Sequence, residues 1–191
     1  MGPDYGRTRT INATILEMRS REFTRGSQEI VVIAHNIRST HNVGAIFRSC
    51  EGFGVAKIIL SGYTPYPTVA KDTRLPHISA KLTNQIHKTA LGAETMVPFE
   101  HQETLDLGTL QLAGYRIVGL EQDTRSHLLA DYHPTSKIAL LLGEEVEGIT
   151  PELRAACDDL IEIPMFGKKE SFNVSVATGI ALYGLRTNSA I

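Results

Sequence analysis

The feature that most constrains this chain is the recurrence of short, continuously apolar runs bounded by turn residues. They are Ile30–Ala34, Lys57–Leu60, Thr95–Phe99, Arg116–Leu120, Lys137–Leu142 and Leu160–Pro164. Each is too short for a lone helix and is rich in Val, Ile and Leu, so each reads as a strand. Hydrophobicity that is continuous rather than alternating implies strands covered on both faces, as in a parallel sheet. Helical patterns fall between them. Val43, Ile46, Phe47 and Cys50 lie at i, i+3, i+4, i+7, which makes one apolar stripe. Thr150-Pro151-Glu152 reads as an N-cap, a first-turn proline and a dipole-matched acid. Ser171 is placed to cap a last helix running to about Arg186. Strands alternating with helices predict an α/β fold, a mostly parallel sheet with helices on both faces.

With 191 residues, 42% of them hydrophobic, the chain can bury one substantial core. Residues 1–27 read as an N-terminal extension and 28–191 as the folded domain. No stretch is apolar enough to span a bilayer, and Met1 to Thr10 lacks the apolar region of a secretory leader. Cys50 and Cys157 stand far apart in no metal or redox spacing, so buried thiols in the cytoplasm are expected. The net charge of −2 argues mildly against a nucleic-acid partner, but its distribution does not. Arg7, Arg9, Arg19, Arg21 and Arg25 outnumber Asp4, Glu17 and Glu22, and Lys71, Arg74, Lys81 and Lys88 face Asp72 alone. Such segments could face a phosphate backbone, but charge by itself favours ordinary solvated surface. The irregular stretch Ser61–Ala80, with three prolines, reads as a substrate-facing loop.

Common sites are excluded by what they lack. Gly52-Phe53-Gly54 has no third glycine and precedes a strand, so it is no dinucleotide fingerprint. Gly143-Glu144-Glu145-Val146-Glu147-Gly148 sits correctly for a ligand loop, but its carboxylates would repel a phosphate. The seven histidines form no zinc-like spacing, so no metal is expected.

Three segments remain, each following a strand where an α/β fold places its ligands. They are Asn36 to Cys50, containing Asn42-Val43-Gly44-Ala45-Ile46-Phe47-Arg48; Leu140 to Ile149, containing Leu142-Gly143-Glu144-Glu145; and Ile161 to Gly167 running into Ser171-Phe172-Asn173-Val174-Ser175. Together, and in this order, they closely resemble the three signature motifs of the SpoU/TrmH family of RNA ribose 2′-O-methyltransferases, within the SPOUT superfamily. Phe172 stands where that family usually has leucine.

The resemblance implies a C-terminal deep trefoil knot, although knots are otherwise nearly absent from folds. It implies S-adenosylmethionine as cofactor, bound near Leu120, Gly143, Ile163, Met165 and Phe172. It also implies a homodimer whose active site is completed across the interface, with RNA as partner and no membrane. The substrate is expected to be tRNA or rRNA, with tRNA placed first because no separate RNA-binding domain is attached. Arg48, Asn42, Glu145, Ser171 and Asn173 match the family's catalytic or active-site positions. Because guanidinium stays protonated, Arg48 is better suited to orient a phosphate or developing alkoxide than to act as a base.

By residue type alone the plainer readings differ. Arg48 is a helix-surface arginine, Asn42 an N-cap, Glu145 a solvated acid, Ser171 and Asn173 helix caps, and Met165 core filler. The motif match reverses these for Arg48, Glu145, Ser171 and Asn173. His35 and His41 stay hydrogen-bonded loop residues. Two other classes remain open: a non-catalytic RNA-binding or assembly factor, and a nicotinamide enzyme, which the missing fingerprint discounts.

Overall fold

The computed structural model describes residues 28–144 and 147–188. The expected extension over 1–27 and the candidate Glu145 lie outside the described residues. Seven strands form one sheet: β1 Glu29–His35, β2 Lys57–Ser61, β3 Phe99–Gln102, β4 Arg116–Leu120, β5 His127–Leu128, β6 Lys137–Leu142 and β7 Asp159–Glu162. Their order is β3-β2-β1-β6-β4-β7-β5 and every pairing is parallel. The helices are α1 Thr40–Gly52, α2 Pro76–Ala90, α3 Leu107–Leu112, α4 Pro151–Ala156 and α5 Val174–Thr187.

Both faces of the sheet are covered, as the continuous apolar runs require. Ile30, Val32, Leu140 and Leu142 pack with Ile46, Phe47, Ile86, Ala181 and Leu185 of α1, α2 and α5. Val31, Ile33, Ala139 and Leu141, on the alternate pleat, pack with Leu107, Leu110 and Leu153 of α3 and α4. Burying each such Ile or Leu contributes about 1.5–3 kcal/mol, so this double layer dominates the stability. α1 lies close on α2 because Gly44 carries no side chain. A Cβ there would fall 3.0 Å from Ala90 N and closer still to Ile86 O and Thr89 Oγ1. Arg186 of α5 closes the other end, donating to the carbonyls of Phe53, Gln28 and Gly54 at 3.0, 2.8 and 2.8 Å.

Arg116–Leu120 and Lys137–Leu142 coincide with β4 and β6, and the cap at Thr150 is present, its hydroxyl accepting from Leu153 N at 3.4 Å. Thr95–Phe99 is not a strand. A 3-10 turn occupies Ala93–Thr95, and β3 begins at Phe99. Pro98 has no N–H for the ladder, but its carbonyl accepts from Ile58 N at 2.9 Å, which sets the start of pairing. β7 likewise ends at Glu162, short of Pro164. The irregular stretch stops at Leu75, where Pro76 enters the first turn of α2.

Two cap assignments are corrected. Ser39, not Asn42, caps α1, its Oγ accepting from Asn42 N at 3.3 Å. Asn173, not Ser171, caps α5, its Oδ1 accepting from Ser175 N at 2.9 Å. In each case several cap-competent residues precede the helix, and backbone direction selects among them. His35 ends β1 rather than lying in a loop, with Nδ1 2.9 Å from Ser61 Oγ, and burial lowers its pKa. His41 lies in the first turn of α1.

No helix among the described residues is long and apolar enough to cross a membrane. Neither cysteine is in a disulfide. Burial pushes the Cys157 thiol up to about 11 and that of Cys50 further, so neither forms a reactive thiolate near neutrality.

Candidate functional site

In a parallel sheet all strands end on the same side, and ligands collect there. Three ends meet where β6, β4 and β7 lie side by side. Leu142, Leu120 and Glu162 are the last strand residues, and the chain leaves them through Gly143, Glu121 and Ile163. A cavity of about 430 Å³ opens at this point, within the size range of small-molecule sites.

The loop after β6 is folded tightly on itself. Glu144 N donates to Gly148 O at 3.1 Å and Gly148 N returns to Glu144 O at 3.2 Å. Gly143 faces this turn so closely that a Cβ would lie no more than 2.5 Å from Gly148 C, Gly148 O and Ile149 N. The glycine is therefore required by the loop's own backbone, before any ligand is considered. Glu121 holds the loop from the β4 side, its carboxylate accepting from Ile149 N at 2.6 Å and Gln122 N at 3.0 Å. Gln122 Nε2 in turn donates to Glu170 O at 2.9 Å, joining the end of β4 to the segment before α5.

That segment forms the remaining wall. Asn173 caps α5 and its Nδ2 donates to Asn42 Oδ1 at 3.1 Å. One amide thus ties the start of α5 to the first turn of α1, across 131 residues of sequence.

Leu120, Gly143, Ile163, Phe172, Ser171 and Asn173 all line the cavity. Asn42 reaches its edge through Asn173. Met165 is partly buried but is not among the lining residues. Arg48 is exposed, and it lines a different depression, between α1 and α5, with Ser49, Ser175, Val176 and Gly179. Six residues beyond Asn42, it stands about 9 Å farther along α1. Within one chain, then, the candidates do not all share one cavity.

The lining has a definite electrostatic character. It includes Glu121, Glu144, Glu147, Glu162 and Glu170, and no Lys, Arg or His among the described residues. Leu120, Leu142, Ile163, Phe172, Val174 and Ala177 supply the apolar part. Such a site suits a ligand with a flat apolar portion and positive charge, and it disfavours phosphates.

Glu121, Gln122 and Glu170 were not among the sequence candidates. The signal for Glu121 was present, since it directly follows the apolar run Arg116–Leu120 and so stands at a strand's C-terminal end. The roles of Gln122 and Glu170 depend on a contact between distant loops.

A model of the SpoU rRNA Methylase family matches residues 29–183. The 23S rRNA (guanosine-2′-O-)-methyltransferase RlmB of Vibrio cholerae is 34% identical over 158 residues, which is 82% of this chain and 58% of that protein. An AdoMet-bound rRNA methyltransferase from Sinorhizobium meliloti superposes with a TM-score of 0.68 at 25% identity, over 83% of this chain and 56% of the other. The A. aeolicus TrmH/SpoU tRNA modifying enzyme has the same TM-score at 27% identity, over 84% of this chain and 75% of its own. This chain therefore spans a little over half the length of the curated relative. With the family match running through all three motif segments, the chain belongs to the SpoU rRNA Methylase family.

Proposed function

We propose that this chain transfers a methyl group from S-adenosylmethionine to a ribose 2′-hydroxyl of RNA, with ribosomal RNA as the first substrate class. The observation that carries this reading is the convergence of the second and third motif segments on one acidic, partly apolar cavity, with the first tied to it by the Asn42–Asn173 hydrogen bond. The cofactor fits the donor set. Its adenine suits the apolar wall, and the five glutamates offset its sulfonium and ammonium charges. When bound, it supplies a methyl group that is already activated.

The chain's part is to orient the hydroxyl, assist loss of its proton and exclude water. Ser171 and Asn173, both exposed and lining the cavity, are proposed to hydrogen-bond an incoming ribose, Asn173 through the part of its amide not already bonded to Asn42 and Ser175. Arg48, which has no hydrogen-bond or ion-pair partner among the described residues, is the group to orient a phosphate or stabilise the developing alkoxide. Since it lies off its own chain's cavity, the reading is completed by a homodimer in which a second copy supplies Arg48. Glu145 and Met165 keep the roles that the motif match implies, Glu145 in the active site and Met165 toward the cofactor.

The C-terminal segment is proposed to thread the loop between β4 and β6 as a trefoil knot. Supporting this, that loop is held by Glu170 before α5, through Gln122, and by Asn188 after it, through Leu129 O at 2.8 Å. Residues 28–191 then form the methyltransferase domain, working in the cytoplasm. The curated relative is named for 23S rRNA and guanosine, which weighs the substrate toward ribosomal RNA. The expectation of tRNA first is not carried forward. A nicotinamide reading is disfavoured because the glutamates would repel a pyrophosphate, and no observation favours a non-catalytic factor.

The test is transfer of labelled methyl to unmodified rRNA, followed by nuclease digestion to place the label. Ribose label is expected, and Arg48→Ala should reduce transfer at least about a hundredfold, the scale for losing one oriented electrostatic donor, while leaving cofactor affinity unchanged. A fully active Arg48→Ala variant would contradict its role, and a wild type that does not bind the cofactor would contradict the whole reading.

A further inference from the structure

A second depression, of about 690 Å³, adjoins the first and is assigned no role by the motifs. Arg38, Tyr63, Tyr66, Arg74, Gln85 and His101 shape it, drawn from the start of α1, the loop after β2, α2 and β3. One hydrogen bond joins the two sites. The Tyr63 hydroxyl donates to Glu144 Oε2 at 2.6 Å, and Glu144 lines the acidic cavity.

Tyr63 is half exposed, at 51%, yet its hydroxyl is held. A half-exposed ring fixed at its tip is a stacking platform whose order is already imposed by the fold. The Arg38 guanidinium lies 6.0 Å from its centroid. A second wall is stiffer still. Tyr66 is stacked against His101 at 3.9 Å, and the Arg74 guanidinium covers it at 3.5 Å. Arg74 is itself bound to Asp72 and to the carbonyls of Tyr66 and Pro67.

The two sites differ in charge. The acidic cavity repels phosphate. The second depression is lined by Arg38 and Arg74 against the single carboxylate of Glu103, with Arg74 paired to Asp72. Aromatic faces interleaved with cations, beside a polar Gln85, form the chemistry that holds an unpaired nucleotide.

Resting on the methyl-transfer reading above, we infer that this groove seats an unpaired nucleotide of the RNA next to the target ribose, with its base on Tyr63 and its phosphate toward Arg38. The Tyr63–Glu144 hydrogen bond links that seat to the loop that bounds the cofactor cavity. Tyr63 therefore serves both sites, through its ring in one and its hydroxyl in the other.

The two roles separate experimentally. Binding of a labelled single-stranded hexanucleotide RNA is followed by fluorescence anisotropy, and S-adenosylmethionine is titrated by calorimetry. Thermal unfolding verifies that each variant is folded. Tyr63→Ala should weaken RNA binding at least about fivefold, the lower end for a lost base–aromatic stack. Tyr63→Phe should keep RNA affinity and lower cofactor affinity. Arg38→Gln should weaken RNA binding and reduce its salt dependence by about one ion. A wild type that does not bind the oligonucleotide, or a folded Tyr63→Ala that binds it as well as wild type, overturns the groove. If wild type still binds cofactor and methylates RNA in that case, only the groove is lost. If wild type does neither, the methyl-transfer reading fails as well.

Discussion

Gly143→Ala tests a close backbone approach at the wall of the cofactor-type cavity. The added methyl would stand no more than 2.5 Å from three backbone atoms of Gly148 and Ile149. Ordinary carbon contacts lie near 3.5–4.0 Å, so the turn must open by about 1 Å. Backbone cannot yield by changing rotamer, and the turn is held by two bonds between Glu144 and Gly148 and one from Ile149 N to Glu121. Overpacking of this kind costs about 1–3 kcal/mol. At about 2–4 °C per kcal/mol for a domain of this size, the thermal midpoint should fall by roughly 2–12 °C. The same displacement moves a wall of the cavity, and each 1.4 kcal/mol required to restore it weakens cofactor binding about tenfold. Thermal unfolding without ligand measures the first effect, and S-adenosylmethionine calorimetry the second. A variant with wild-type midpoint and wild-type affinity would refute the claim that Gly143 is demanded by its own loop. A lower affinity at an unchanged midpoint would instead mean that the ligand, not the backbone, excludes the side chain.

Other expectations follow from packing and charge. Gly44→Ala should separate α1 from α2 and lower unfolding free energy by about 1–3 kcal/mol in urea titration, because Ile86 O and Ala90 N are backbone atoms that cannot move aside; an unchanged midpoint would count against the close approach. Arg186→Met removes the donor to the carbonyls of Phe53, Gln28 and Gly54 and should cost about 1.5–3 kcal/mol by the same measurement. Asp159 carries a pH signature. Its hydrogen bond from Arg116, only partly offset by burial and aided by Tyr132, holds its carboxyl below the ordinary carboxylate range. That contribution is complete above the unfolded value near 3.9 and is lost as pH falls through the lower folded value. Asp159→Asn should therefore be less stable than wild type at neutral pH and show a flatter loss of stability between roughly pH 5 and pH 1. Parallel acid titrations of the two proteins would disprove this.

How much was legible in the sequence follows from the range of each interaction. The strands β4 and β6 could be read to the residue, because a strand buried on both faces must be apolar throughout, and that is a local pattern. β3 was misplaced because Thr95, Met96 and Val97 have strand-like composition, whereas the pairing begins only after Pro98. β5 has two exposed residues and carries no apolar signal at all. α2 buries only Ser79, Ile86 and Ala90, too sparse a stripe to be read from periodicity.

By itself the sequence determined the α/β class, both faces of the sheet and three motif segments placed after strands, since each depends on residue type and spacing along a few consecutive positions. Only the tertiary structure decided that Ser39 and Asn173 are the caps, that Gly143 answers to its own loop, and that Arg48 lies away from the cavity of its own chain. It alone brought Asn42 to Asn173 and Tyr63 to Glu144, pairs separated by 131 and 81 residues. Local pattern records how a residue meets its neighbours in the chain. The site is made by which strand ends the sheet order sets side by side, and that order is fixed by packing over the whole domain.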